Sequence, residues 1–186
     1  NGQVPPAVGA FTNATRPAFA TGTTGDTEVR LLDLGALTFN PVLRYGYRKI
    51  MVEEPGLIRS KELVKWADHI VFAFPIWWGV APSLLSGWIA RVFTPGFAYR
   101  SKSLLHPEQL LAGKIASIII TTRSPRLLWF FAGMNGAAPL TKNLFFFTGL
   151  RNKKTLVLDG MGLKKDTPRR RQRFLAKVGR YAARLR

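Results

Sequence analysis

The chain has 186 residues, with 28 Lys and Arg against 10 Asp and Glu, a formal net charge of +18, and no cysteine. That length suits one domain, residues 1–186, with a real hydrophobic core, and the lack of cysteine excludes disulfide scaffolds, thiol nucleophiles and thiolate-ligated metals. His69 and His106 stand too far apart for a metal-ligand spacing, and no apolar run approaches the roughly 20 residues of a membrane span. No metal site is expected. With no secretory signal in view, the expected setting is the cytoplasm, peripheral membrane or organellar association remaining open.

The charge is uneven. Residues 151–186 hold 13 Lys or Arg against Asp159 and Asp166, a net +11. Arg169, Arg170, Arg171 and Arg173 are expected on an exposed helix face, giving non-specific attraction to polyanions or an anionic membrane surface. There is no zinc spacing and no alternating aromatic signature, so specific nucleic-acid binding is not expected.

In chain order, Glu28 to Leu34 is a short apolar run closed by Gly35, a buried strand in character. Leu57 to Asp68 has the apolar spacing of an amphipathic helix. His69 to Pro75 reads as a second strand, and Pro82 to Phe93 as a helix with proline near its start, where the missing N–H is harmless. Lys114 to Thr122 is a third strand. Ala138 to Thr148 reads as helical with Gly149 as its stop, and Lys154 to Asp159 as a fourth strand. Arg169 to Arg186 is a last helix, with Phe174, Leu175, Val178, Tyr181, Ala182 and Leu185 on one face. Alternating helices and strands that are apolar on both faces predict a doubly wound α/β fold with one parallel sheet.

Ligands in such folds settle outside the carboxyl ends of the strands. After the second strand comes Pro75-Ile76-Trp77-Trp78-Gly79, where successive side chains leave in different directions, so both indoles cannot fill one pocket. A rigid turn carrying planar side chains and free amides suits a flat heteroaromatic ring.

The stretch from Trp66 to Tyr99, WADHIVFAFPIWWGVAPSLLSGWIARVFTPGFAY, resembles the flavodoxin-like NAD(P)H:quinone oxidoreductases, also known as the flavodoxin-2-type NAD(P)H dehydrogenases. Gly87, Trp88, Arg91, Val92, Phe93, Gly96, Phe97, Ala98 and Tyr99 stand as in that family, while Ser86 replaces its usual lysine. The resemblance implies a flavodoxin-like sheet in the order 2-1-3-4-5. It also implies bound FMN or FAD and NAD(P)H as co-substrate, with hydride passed to a quinone-like small-molecule acceptor in a homodimer. Pro75, Ile76, Trp77, Trp78 and Gly79 would form one wall of the flavin site, and Thr121, Thr122, Arg123 and Ser124 another. Trp129, Asn135 and Gly136 would lie at the substrate cavity. Trp129 and Asn135 replace a tyrosine and a histidine of the family, and neither can act as a general acid near neutral pH. Arg123 offers positive charge beside a reduced ring, and no catalytic residue is assigned.

The first 27 residues match the family poorly. Phe11 and Asn13 stand nearest the family triplet that binds the flavin phosphate, yet no first strand precedes them. Residues 3–8 cannot supply a central one, because Pro5 and Pro6 would remove two ladder donors. Asn13 to Thr27 stands where a helix is expected but is rich in Thr, Gly and Pro. The strand at 28–34 would then lack a neighbour. A second reading is therefore a catalytically weak or inactive flavodoxin-like subunit that serves as a basic interaction scaffold.

Overall fold

The structure, a computed structural model, describes residues 15, 18–23, 27–101, 106–128 and 136–185. Its centre is a three-stranded parallel sheet of β1 (His69–Ile76), β4 (Ile115–Thr122) and β5 (Arg151–Leu158), in the order β1-β4-β5. A two-residue antiparallel ribbon, β2 (Tyr99–Arg100) with β3 (Glu108–Gln109), lies apart from it. Three of the four expected strands are present, and the expected parallel pairing of 69–75 with 114–122 holds over its full length. β5 begins three residues before the fourth strand's expected start, its exposed Arg-Asn-Lys-Lys half being too polar to read as core strand.

The fourth expectation fails. Residues 28–34 are not a strand: the chain runs as irregular coil from Thr27 to Asp33 and turns at 34–36. Leu32 and Leu34, half-buried, still pack against the core, but Leu31 is 55% exposed, so the burial that the apolar pattern implied holds only in part. A strand also needs a hydrogen-bonded neighbour, and among the described residues none lies beside this segment.

Helices cover both faces of the sheet. On one side lie α1 (Pro55–Trp66), α2 (Ser83–Val92) and a π-helical turn Pro139–Leu144 running into α3 (Phe145–Thr148). On the other lies α4 (Pro168–Ala182), begun by Thr167, whose side chain accepts a hydrogen bond from the Arg170 amide at 3.3 Å. Gly149, with φ of 83°, ends the 139–148 helical segment as expected. Alternation along the strands divides the core: Phe72, Phe74, Ile118 and Ile120 join the α1–α2 side, whereas Ile119, Leu156 and Leu158 meet Phe174 and Val178 of α4. Each fully buried isoleucine of β4 contributes on the order of 1.5–3 kcal/mol.

The Gly87-Trp88-Arg91 part of the sequence motif is structural. A Cβ on Gly87 would stand 2.4 Å from Cβ of Pro41, so that helix face meets the 40–54 segment at contact distance. Trp88 packs edge-on to Phe72 and Phe93 and donates from its indole N–H to Ser60 Oγ at 3.0 Å. Arg91, only 4% exposed, donates to the carbonyls of Asn40 and Val52 and to Glu54 Oε2 at 2.8–2.9 Å. Burial by itself would raise the Glu54 carboxyl, but its own amide, the Asn40 amide and the Arg91 charge hold it below its ordinary value.

Candidate functional site

Strand register brings two of the expected segments together. Pro75 pairs with Thr121 and Ile76 with Thr122, so β1 and β4 end side by side at their carboxyl ends. The chain leaving β1 closes at once into a tight turn. The Trp77 amide donates to the Val80 carbonyl at 3.1 Å, and the Val80 amide returns the bond to Trp77 at 3.0 Å. Between them Trp78 and Gly79 have φ of 53° and 77°, the pair of left-handed residues that defines a type I′ turn.

Glycine takes that conformation freely; tryptophan does so at about 1 kcal/mol or more. The turn leaves both indoles in the open. Trp77 is 49% exposed and Trp78 is 100% exposed, a bare indole at the mouth of the sheet. The amides of Trp78 and Gly79, inside the turn, make no backbone bond with other described residues. Planar apolar area and two donors thus stand together, and they fit a ring with an apolar face and a polar edge.

Gly136 closes the turn from behind. A Cβ there would meet Ile76 side-chain carbons at 2.9 Å and the Gly79 carbonyl oxygen at 3.0 Å. The segment beginning at Gly136 therefore packs directly on the tryptophan turn, which joins a residue expected at the substrate cavity to the expected ring wall.

The second wall divides into buried and exposed parts. The side chains of Thr121 and Thr122 are fully buried, so they shape the loop from beneath. Thr122 Oγ1 accepts from the Ser124 amide at 3.2 Å, and the Thr122 carbonyl accepts from Met161 at 3.0 Å. Arg123 is exposed and Ser124 half-buried, leaving them as the side chains of this loop open to a ligand. Phe11, Asn13, Trp129 and Asn135 lie outside the described residues.

Asp159, just past β5, escaped the sequence reading. Its carboxylate accepts from the Arg126 amide at 3.0 Å, Lys165 Nζ at 2.8 Å and Arg170 Nη2 at 2.5 Å. Burial alone would raise this carboxyl, but the bonds from Lys165, Arg126 and Arg170 bring it down to about 2. Asp159 thereby fixes the loop after β4 to the start of α4. Its only sequence signal was position at a strand's carboxyl end. The arginine run needs a correction as well. Arg169 and Arg173 are exposed as expected, but Arg170 and Arg171 are half-buried and paired with Asp159 and Asp166. The polyanion-facing charge of that helix is smaller than composition implied.

A parallel sheet covered on both faces by helices, with the turn after β1 and the loop after β4 side by side at its carboxyl edge, has the architecture of the flavodoxin-like class of α/β proteins. The chain belongs to the flavodoxin-like fold family, whose sequence pattern matches residues 6–182. A crystal structure of a Streptococcus mutans UA159 protein superposes with a TM-score of 0.81 at 31% identity, covering 94% of this chain and 93% of the other. An NAD(P)H:quinone oxidoreductase from Methanothermobacter marburgensis shares the fold, with a TM-score of 0.76 at 19% identity, over 95% and 92% of the two chains. Human ribosyldihydronicotinamide dehydrogenase [quinone] is 32% identical over 127 residues, 63% of this chain and 54% of that protein. NAD(P)H dehydrogenase [quinone] 1 of Cavia porcellus is 28% identical over 161 residues, 73% of this chain and 58% of its own length. The chain thus spans little more than half the length of these two relatives.

Proposed function

We propose that this chain binds FMN or FAD at the carboxyl ends of β1 and β4 and serves an NAD(P)H-dependent reductase whose acceptor is a quinone-like small molecule. The observation that carries this reading is Trp78, fully exposed in a left-handed turn conformation. A packing role does not repay the strain of that position, whereas a stacking role does. Ile76, Trp77, Trp78 and Gly79 supply one wall and the Thr121–Ser124 loop the other. The amides of Trp78 and Gly79 serve as donors to the ring edge, and Arg123 as a nearby positive charge. A bound flavin supplies the hydride chemistry itself, so the protein's part is position, desolvation and electrostatics. The names of the human and Cavia porcellus relatives, both quinone dehydrogenases, support the same substrate class. A homodimer with sites between subunits is part of the proposal.

The experiment is a visible spectrum of the purified protein followed by NADH- and NADPH-dependent quinone reduction. A flavin band with turnover supports the enzyme. Protein that takes up neither FMN nor FAD contradicts it and favours the scaffold reading.

A further inference from the structure

The loop that joins β5 to α4 sorts its charges by sign. Residues 159–167 run Asp-Gly-Met-Gly-Leu-Lys-Lys-Asp-Thr, and both acids are committed to donors of the protein itself. The Asp166 side chain, 2% exposed, accepts from Arg171 Nε at 2.8 Å, Arg171 Nη2 at 2.6 Å and the Gly162 amide at 2.6 Å. The Arg171 bond and the Gly162 amide hold its carboxyl down to about 2, against the effect of burial. Asp159 is taken up in the same way by Arg126, Lys165 and Arg170. Lys165 reaches it by lying across Gly160, where a Cβ would collide with Lys165 Cε.

Two bases of the same region are not committed. Arg123 and Lys164 are exposed, and neither forms an ion pair among the described residues. Arg123 belongs to the loop after β4, yet its guanidinium lies against the loop after β5. A Cβ built on Gly162, whose φ is 71°, would stand 4.0 Å from Arg123 Nη1. The Met161 amide ties the two loops by its bond to the Thr122 carbonyl at 3.0 Å. Lys164 follows Gly162 by two residues, so both cations belong to one corner of the sheet's carboxyl edge. That corner is at β5, two strands from the tryptophan turn after β1, or about 10 Å at ~4.8 Å per strand.

We propose that Arg123 and Lys164 bind the 2′-phosphate of NADPH, so that this site prefers the phosphorylated dinucleotide to NADH. The inference rests on the flavin reading, which places the nicotinamide near the tryptophan turn and leaves the adenosine half to cross toward β5. The charge pattern decides between the two nucleotides. A free carboxylate accepts from the ribose 2′-hydroxyl of NADH, whereas an arginine accommodates the 2′-phosphate of NADPH. Asp159 and Asp166, the two acids of the loop, already have their donors. A phosphate dianion needs charge-assisted donors, which the planar Arg123 fork and the Lys164 ammonium supply.

The test titrates the chain, with and without FMN, against 2′,5′-ADP and against 5′-ADP. The two isomers carry nearly the same charge, so general attraction to a chain of net charge +18 cancels between them. The inference expects 2′,5′-ADP to bind about 10-fold or more tightly than 5′-ADP. Lys164→Gln should remove most of that preference and Lys164→Arg should keep it. In turnover, Lys164→Gln should raise the KM for NADPH about 5-fold more than the KM for NADH. Equal affinity for the two isomers, or binding of neither, overturns the inference, as does a preference that Lys164→Gln leaves intact. A preference found in protein that takes up no FMN upholds the phosphate site and counts against the flavin reading alone. FMN uptake with equal affinities does the reverse.

Discussion

Gly136 stands so close to Gly79 that a single added methyl would sit 3.0 Å from the Gly79 carbonyl oxygen. Two segments far apart in sequence thus fix the turn that presents Trp78. Gly136→Ala is expected to push on that turn, costing roughly 1–3 kcal/mol of stability through overpacking and weakening flavin binding with it. Thermal unfolding and fluorescence titration of the variant read the two effects. An unchanged melting temperature would show that the turn yields freely.

Trp78 should give opposite signs in the same two measurements. Trp78→Gly removes an exposed left-handed tryptophan and is expected to raise stability by about 1 kcal/mol. It also removes the stacking face, which should weaken flavin binding by roughly 1–3 kcal/mol. A variant that is both less stable and equally avid would place the ring elsewhere.

Arg91 holds the 40–54 segment through three acceptors. Arg91→Ala removes a buried guanidinium and leaves the Asn40 and Val52 carbonyls and Glu54 without their donor, and is expected to cost about 2–3 kcal/mol. Chemical denaturation measures this directly, and a cost below 1 kcal/mol would mean that water replaces the guanidinium.

Stability should also fall with acid in a predictable window. Burial, with Lys153 nearby, lowers His69 from its ordinary 6.5 to about 4, and its Nε2 lies 2.8 Å from Ser117 Oγ. The folded state binds this proton less readily than the unfolded chain does. The stabilisation is therefore complete above pH 6.5 and is lost as pH falls toward 4. His69→Gln should flatten the slope across that window, as measured by denaturation at a series of pH values. A slope unchanged in the variant would assign it to other groups.

The arginine run separates into two behaviours. Arg169→Gln with Arg173→Gln should reduce retention on heparin and leave the melting temperature within the scatter of surface substitutions. Arg170→Gln should lower the melting temperature, because Asp159 loses a partner that pins the β4 loop. Equal melting of both variants would argue that the Asp159 pair is only a surface contact.

Much of the fold was legible in local pattern. β4 announced itself as an isoleucine run closed by two threonines, and α4 by its apolar stripe, because each signal reports burial directly. The segment 28–34 carried the same signal yet is half-exposed coil, since a strand also needs backbone partners and none lies beside it among the described residues. At the site, the tryptophan turn was visible as two planar residues at a strand end. Its left-handed Trp78-Gly79 pair was not foreseen, because tryptophan carries no turn signature. The pairing of Arg170 and Arg171 was likewise hidden. It depends on where β5 ends relative to α4, which composition does not encode.

The central claim is that Trp78 forms a wall of a flavin site, and flavin titration of apoprotein followed by fluorescence quenching tests it most directly. The wild-type chain should bind FMN or FAD, and Trp78→Ala should bind it about 10- to 100-fold more weakly. Equal binding by both proteins, or binding by neither, would contradict the account.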